Sequence, residues 1–304
     1  MKTDQQTNTG YDVMIVDSFA LLFRGYFASA AMRTPEPNRL GQYTNGLQQF
    51  LRYLLDAMTT FSPKHICCAF DAGSKTFRNE MYDGYKSNRP EPPEALRPQF
   101  EGLWELTRGM GLPSYRMTDY EADDLIGSIA AKASAQGLRT AILTGDGDSL
   151  QLIDANTDVI LMKKGFSQYA VVNETGLQEY KGVRRPGQIV DLKALMGDAS
   201  DMIPGCPKIG EKTALLLLNQ FDNIDQLYAR IEEVPARWQS LLREHQDKVL
   251  MSYSLASICT TIDVEMESAL HEPWSPNREQ LQETFEQWAM EKAAPAWGKW
   301  LDRE

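Results

Sequence analysis

Three short apolar runs, each delivering an acidic residue at or just beyond its end, constrain this chain more than any other feature. Run 13–16 leads into Asp17, run 66–70 into Asp71, and run 140–143 into the turn Thr-Gly-Asp146-Gly-Asp148. Apolar runs this short, bounded by turn residues, read as buried strands, and 159–162 is a fourth of the same kind. Between them lie segments of helix-like periodicity at 46–61, 96–110 and 124–135. Strand–helix–strand alternation at this spacing predicts an α/β fold with a mostly parallel central sheet flanked by helices. Ligands of such sheets collect beyond the carboxyl ends of the strands, where Asp17, Asp71 and Asp146 fall.

Two further clusters, Glu121-Ala-Asp123-Asp124 and Asp198-Ala-Ser-Asp201, bring the set to nine carboxylates in five groups. A single Asp is commonly a cap or turn residue, and acids in a first helical turn suit the helix dipole, the ordinary alternative for Glu121, Asp123 and Asp124. Five groups together would repel one another unless cations lie between them, and hard divalent ions bound through oxygen are the natural candidates. Glu121 and Asp124 stand three residues apart, as do Asp198 and Asp201, so each pair can share a helical face. Nine acids exceed what one Mg²⁺ takes, so two ion positions are expected. Two ions about 4 Å apart clamp an in-line displacement at phosphorus, one activating a water and the other steadying the leaving oxygen. His65, His245 and His271 are remote in sequence from the acidic clusters, and no Ser or Cys nucleophile with a neighbouring base is visible. Metal-assisted phosphodiester hydrolysis is therefore favoured over nucleophilic catalysis.

At 304 residues the chain can bury a sizeable core in one or two domains. Residues 1–10 are polar and lack the apolar stretch of a signal peptide, and no run approaches the roughly 20 apolar residues of a membrane span. Cys67 and Cys68 sit in a strand-like run and read as buried, reduced thiols. A cytoplasmic protein with no membrane association is expected. The net charge of −11 argues at first against a nucleic-acid partner, but residues 263–304 hold ten acids and four bases, which leaves −5 for the rest. Without the nine clustered acids, that remainder is about +4, so a local basic surface is compatible with the total.

Segment 72–98 is long for a connection and carries Lys75, Arg78, Lys86, Arg89 and Arg97 interleaved with Phe77, Tyr82 and Tyr85. Segments 190–196 and 212–221 read as two helices around a tight linker at 204–210. The acidic end of the chain holds Trp274, Trp288, Trp297 and Trp300, for which packing is the expected role.

The ordered set Val-Asp17, Phe-Asp71-Ala, Tyr-Glu121-Ala-Asp123-Asp124, Thr-Gly-Asp146-Gly-Asp148 and Gly-Asp198-Ala-Ser-Asp201 resembles the 5′-nuclease (flap endonuclease) family. It is most similar to the 5′→3′ exonuclease domain of bacterial DNA polymerase I and its free-standing relatives. Leu21-Leu22-Phe23-Arg24-Gly25-Tyr26-Phe27-Ala28 and Tyr85-Lys86-Ser87-Asn88-Arg89-Pro90 match in order and spacing, and the resemblance spans about 11–264. It implies a flexible tail at 1–10, a PIN-like nuclease core at 11–185 with a helical arch at about 72–98, a helix–hairpin–helix module at 186–262 that holds duplex DNA, and an acidic segment at 263–304.

The resemblance assigns Asp17, Asp71, Glu121, Asp123, Asp124 and Asp146 to a first Mg²⁺ and Asp148, Asp198 and Asp201 to a second, with Mn²⁺ as a substitute. Lys86 and Arg89 would act on the scissile phosphate as catalytic cations, and Tyr85 would stack on a base. Arg24, Lys75 and Arg78 would add DNA contacts, as would Gly205, Lys208, Gly210, Lys212 and Thr213 in the hairpin, where backbone N–H groups can hold phosphate. In relatives that hairpin also binds K⁺ through backbone carbonyls. Two positions depart from the usual pattern: Lys208 stands where Gly is common, and Met202 where Asn is.

The implied activity is that of a monomeric, structure-specific 5′ nuclease. Its partner would be DNA with a 5′ flap or free 5′ end at a duplex/single-strand junction, in replication or repair. With the chain ending at Glu304, any cooperation with a polymerase is expected to run through separate chains. A branched-DNA binding protein without catalysis is a second reading, against which Asp148, Asp198 and Asp201 weigh. A metal-dependent ribonuclease would need neither Lys86 and Arg89 nor the hairpin, and a phosphatase acting on small esters would leave the hairpin without a purpose.

Overall fold

Strand β1 (Val13–Asp17) runs through the middle of the sheet, and every residue of it is buried. Val13 and Ile15 enter the core on one face while Met14 and Val16 enter the core on the other, which is why the strand reads as an unbroken apolar run. The chain's computed structural model describes residues 10–266, 270 and 272–302. Apart from Gly10, the tail expected at 1–10 lies outside the described residues.

Around β1 stand β2 (His65–Thr76), β3 (Ser114–Asp119), β4 (Thr140–Thr144), β5 (Thr157–Met162) and β6 (Tyr169–Val172). Among the described residues they form a six-stranded sheet in the order β3-β2-β1-β4-β5-β6. The first five are parallel and β6 is antiparallel to β5. The strand order reverses between β1 and β4, so a crevice opens beyond their carboxyl ends. The pairings Asp17↔Ala69 and Val16↔Leu143 bring Asp17, Asp71 and Asp146 to that rim.

Strands β3 and β6 were not foreseen from sequence. Both are edge strands, only partly buried, and so lack the apolar run that marks the central four.

Helices α1 (Ser18–Ala30), α2 (Asn45–Phe61) and α4 (Arg97–Gly109) cover one face, placing Leu22, Leu47, Phe50 and Leu103 against Met14, Val16 and Phe70. Helix α5 (Ala122–Ala135) covers the other with Leu125, Ile126 and Ile129. Cys67 and Cys68 are free and buried between these layers. Segment 72–98, expected as a helical arch, is built otherwise. It continues β2 to Thr76, holds a five-residue helix α3 (Phe77–Met81), and then runs in turns and extended chain up to α4.

After α6 (Leu177–Lys181) come α7 (Gln188–Met196), α8 (Glu211–Phe221), α9 (Ile224–Ala229), α10 (Ala236–Glu244) and α11 (Gln246–Ala256) on the α5 side, and α7 and α8 share its apolar core. Between α7 and α8 the chain folds back so closely that a Cβ on Gly205 (φ +59°) would lie 2.2 Å from the Gly197 nitrogen. Only glycine fits there. The last two helices, Arg278–Gln287 and Ala294–Leu301, dock on the α2–α4 face through Phe285, Trp288 and Trp297. Trp274 packs with Trp297 and Trp300 at ring-centroid distances of 6.1 and 5.9 Å, so the tail's tryptophans do pack.

Candidate active site

Asp17 ends β1, Asp71 lies within β2 and Asp146 follows β4, and each carboxylate is held by local hydrogen bonds. Asp17 caps α1, accepting from the Ala20 N–H at 3.1 Å and from the Thr144 hydroxyl at 2.7 Å. Asp71 accepts from the Ala122 N–H at 2.9 Å, which ties β2 to the start of α5. Asp146 accepts from the Asp148 N–H at 2.9 Å and donates its own N–H to Thr144 Oγ1 at 3.0 Å. Together with Glu121, Asp123, Asp148 and Asp201 these three line one cavity of about 190 Å³, with Lys86 and Arg89 in its wall.

Burial, then repulsion from Asp71 and Asp146, pushes the Asp17 carboxyl up to about 6. Burial and the charges of Asp17 and Asp146 hold Asp123 well above the usual carboxylate range, and burial raises Asp71. Asp148 is pushed up to about 6 by burial and by Asp146. A largely half-buried, oxygen-only set of mutually repelling acids is the donor chemistry of a hard divalent cation. A second grouping overlaps it: Asp148, Asp198 and Asp201 each offer one ligand oxygen, all within 4.8 Å of one another.

This second group carries its own cations. Lys193, which the sequence reading missed, bonds Asp198 at 2.5 Å and also Asp148. Burial alone would raise Asp198, but Lys193 and Ser200 hold it at about 2. Burial opposes the Lys193 charge too, yet Asp148 and Asp198 outweigh it and raise its pKa. Arg89 pairs with Asp201 at 2.7 Å and Lys86 with Glu121 at 2.8 Å. The Lys86 N–H donates to the Asp201 carbonyl at 2.9 Å and Asn88 to the Ala199 carbonyl at 3.0 Å, so turn 82–89 is fastened across the cavity.

Several expected roles need correction. Arg78, assigned to DNA, is only 2% exposed. Its guanidinium donates to both oxygens of Asp124 at 2.7 Å and to the carbonyls of Leu255 and Ser257 at 3.0 and 2.7 Å. Asp124, assigned to the first ion, also accepts from the Glu121 and Cys259 N–H groups at 3.0 and 2.8 Å, so both its oxygens are already engaged. The pair pins α3, α5 and the exit of α11 together beneath the cavity. Tyr85, expected to stack on a base, is 4% exposed, packs with Val190, Ile203 and Leu255, and donates its hydroxyl to Glu121 at 3.2 Å. Gly205 is buried and its N–H donates to Ser252 Oγ at 3.0 Å, so it offers nothing to a phosphate.

Arg24 is half-buried and donates to the Met162 and Gly165 carbonyls at 3.3 and 3.4 Å. Lys75, Lys208, Gly210 and Lys212 are exposed, and Thr213 is half-buried at the start of α8. Lys86, Met202 and Lys208 adopt left-handed φ values of 54°, 58° and 65°. Glycine or asparagine would hold such a conformation with less strain.

Residues 12–182 match the family model described as 5′-3′ exonuclease, N-terminal resolvase-like domain, and residues 184–279 match 5′-3′ exonuclease, C-terminal SAM fold. The chain belongs to the 5′-3′ exonuclease family. This 5′-3′ exonuclease family member is 40% identical over 246 residues to the 5′-3′ exonuclease of Bacillus subtilis (strain 168), covering 81% of this chain and 82% of that one. It is 38% identical over 255 residues to DNA polymerase I of Bacillus caldotenax, covering 84% of this chain but 28% of the polymerase. Its fold resembles that of the T5 D15 protein co-crystallized with metal ions (TM-score 0.66, 20% identity, 93% and 99% of the two chains). It also resembles the catalytic core of Rad2 in complex with DNA substrate (TM-score 0.59, 13% identity, 94% and 91% of the two chains).

Proposed function

We propose that this chain is a structure-specific 5′ nuclease that hydrolyses DNA phosphodiesters at 5′ flaps or free 5′ ends, using two Mg²⁺ ions for which Mn²⁺ can substitute. The observation that carries the reading is the single cavity that gathers seven carboxylates, with Lys86 and Arg89 in its wall. Asp17, Asp71, Glu121, Asp123 and Asp146 would hold one ion, and Asp148, Asp198 and Asp201 the other. Bound there, such ions supply Lewis acidity and an activated water.

The chain's own residues do the rest. Lys86 and Arg89 are paired with Glu121 and Asp201, so both already lie beside the cavity and can turn their N–H groups to an arriving phosphate. As fixed cations they stabilise charge that develops on the phosphoryl oxygens. The exposed turn at Lys208 and Gly210, with Lys212 and Thr213 at the first turn of α8, suits a duplex backbone because its contacts carry no base code. The left-handed Lys208 lets the hairpin take the path a glycine would give, which supports a K⁺ held by its backbone carbonyls. Two neighbours described with DNA, the T5 D15 flap endonuclease complex and Rad2, support DNA as the partner. We propose that the protein acts in the cytoplasm as a monomer, in replication or repair and in cooperation with a polymerase.

A 5′-flap DNA labelled at either end tests this. Mg²⁺ should yield a short 5′-phosphorylated product and chelator should abolish it; absence of any Mg²⁺-dependent product would overturn the proposal.

A further inference from the structure

The second ion position is shared with a side chain of the protein itself. Asp148 and Asp198 converge on one cationic atom, Lys193 Nζ, which bonds Asp198 at 2.5 Å and Asp148 as well. The lysine projects from α7, five residues before Asp198, and its side chain is 17% exposed. Helix α7 packs against the short 3₁₀ helix Gly147–Leu152 that bears Asp148, so the ammonium is delivered by two packed elements. In the first group, by contrast, Asp17, Asp71 and Asp146 accept only from backbone N–H groups and the Thr144 hydroxyl.

We infer that Lys193 is a built-in counter-ion of the second ion position, and that a divalent cation loads there only by displacing its ammonium. This rests on the two-ion reading above. An ammonium within hydrogen-bond reach of both carboxylates and a divalent ion bound to the same oxygens would repel at contact distance in a site largely screened from water. Loading is therefore an exchange of one cation for another. The displaced side chain has somewhere to go. A neighbouring cavity of about 470 Å³ is lined by Lys193 itself, Asp198, Met196, Gly197 and Glu211, and the flexible four-carbon stem can turn toward the Glu211 carboxylate.

Two properties follow. The second ion binds more weakly than the first, because it must replace Lys193, which touches two of its three acids, whereas in the first group Lys86 touches Glu121 alone. And Asp148 and Asp198 stay together when the ion is away, because Lys193 bridges them. Lys193 is thus a positioning residue that sets how much divalent ion the second site needs.

The test counts Mn²⁺ bound to the full chain, by calorimetry and by the electron paramagnetic resonance signal of free Mn²⁺, with no DNA present. The expected result for the natural chain is one tighter and one weaker ion. Lys193→Met, which keeps the stem and removes the charge, should tighten the weaker ion about tenfold or more and leave the tighter one within about twofold. Lys193→Gln should do the same, and Lys193→Arg should keep the second ion weak. An unchanged or weakened second ion in both neutral variants would overturn the inference and leave the proposed function standing. Binding of no Mn²⁺ by any of these proteins would overturn both.

Discussion

The two acidic groups of this site are neighbours built on opposite principles. The first stands at the ends of strands β1, β2 and β4, where sheet register dictates that Asp17, Asp71 and Asp146 meet. Burial first, and then the neighbouring charges of Asp71 and Asp146, push Asp17 up to about 6. The second joins Asp148 of the 3₁₀ helix Gly147–Leu152 to two acids on the loop after α7 and is balanced from within: Lys193 holds Asp198 at about 2 and Arg89 pairs with Asp201. A rigid sheet can keep repelling acids together, because separating them would break strand pairing. A loop has no such restraint and needs counter-ions to hold its acids in place.

The largest test of this contrast is chemical. Asp146→Ala removes a strand-end ligand and should lower flap cutting by roughly 10³-fold while flap affinity is retained, measured by single-turnover kinetics beside equilibrium binding. Equal losses of rate and affinity would mean that the acid serves binding. Next comes the support beneath both groups. Arg78→Ala would leave Asp124 buried without its partner and should cost roughly 3–5 kcal/mol in denaturant unfolding, since breaking one side of a buried ion pair strands the other charge. A loss under about 1 kcal/mol would contradict the pinning role.

Asp17 and Asp198, one from each group, should also respond to pH with opposite signs in metal-free protein. The folded pKa of Asp17 lies above its unfolded value, so its contribution to stability is present at low pH and is lost as pH rises through about 6. Asp17→Asn should therefore match the natural chain near pH 4 and be more stable by about 2 kcal/mol above pH 7, with Mg²⁺ erasing the advantage. Asp198 has a depressed pKa, so its contribution is present near neutrality and is lost as pH falls through about 2. Asp198→Asn should be destabilised near pH 7, by no more than about 1 kcal/mol because the site is partly solvated. Melting curves of both variants across pH would break the comparison if the signs agreed. The smallest effect is at the hairpin. Lys208→Gly should relieve the left-handed strain, gain at most about 1 kcal/mol, and reduce the salt dependence of DNA binding by about one ion.

Much of this was legible along the chain. The central strands and helices α2, α4, α5, α7 and α8 follow from runs and periodicities that neighbouring residues carry. Seven of the nine acids line the one cavity, and Asp198 joins through the second group. What failed to show was direction. Asp123 and Asp124 are adjacent in sequence, yet Asp123 is half-buried and lines the cavity while Asp124 is buried and faces Arg78, 46 residues away. Tyr85 turns inward beside Lys86 for the same reason: segment 72–98 has no periodicity to say which of its faces is covered. Lys193 had one local signal, a cation on a predicted helix five residues before Asp198, but its pairing with Asp148 spans 45 residues.

Sequence alone determined that strands would end in carboxylates at one rim and that helices would cover both faces, because those patterns are set by residues a few positions apart. Tertiary structure alone decided which acids keep their charge unpaired and which are neutralised by Arg78, Arg89 or Lys193. That choice depends on Coulomb contacts between residues distant in the chain, and only the packed sheet and helices bring them within reach.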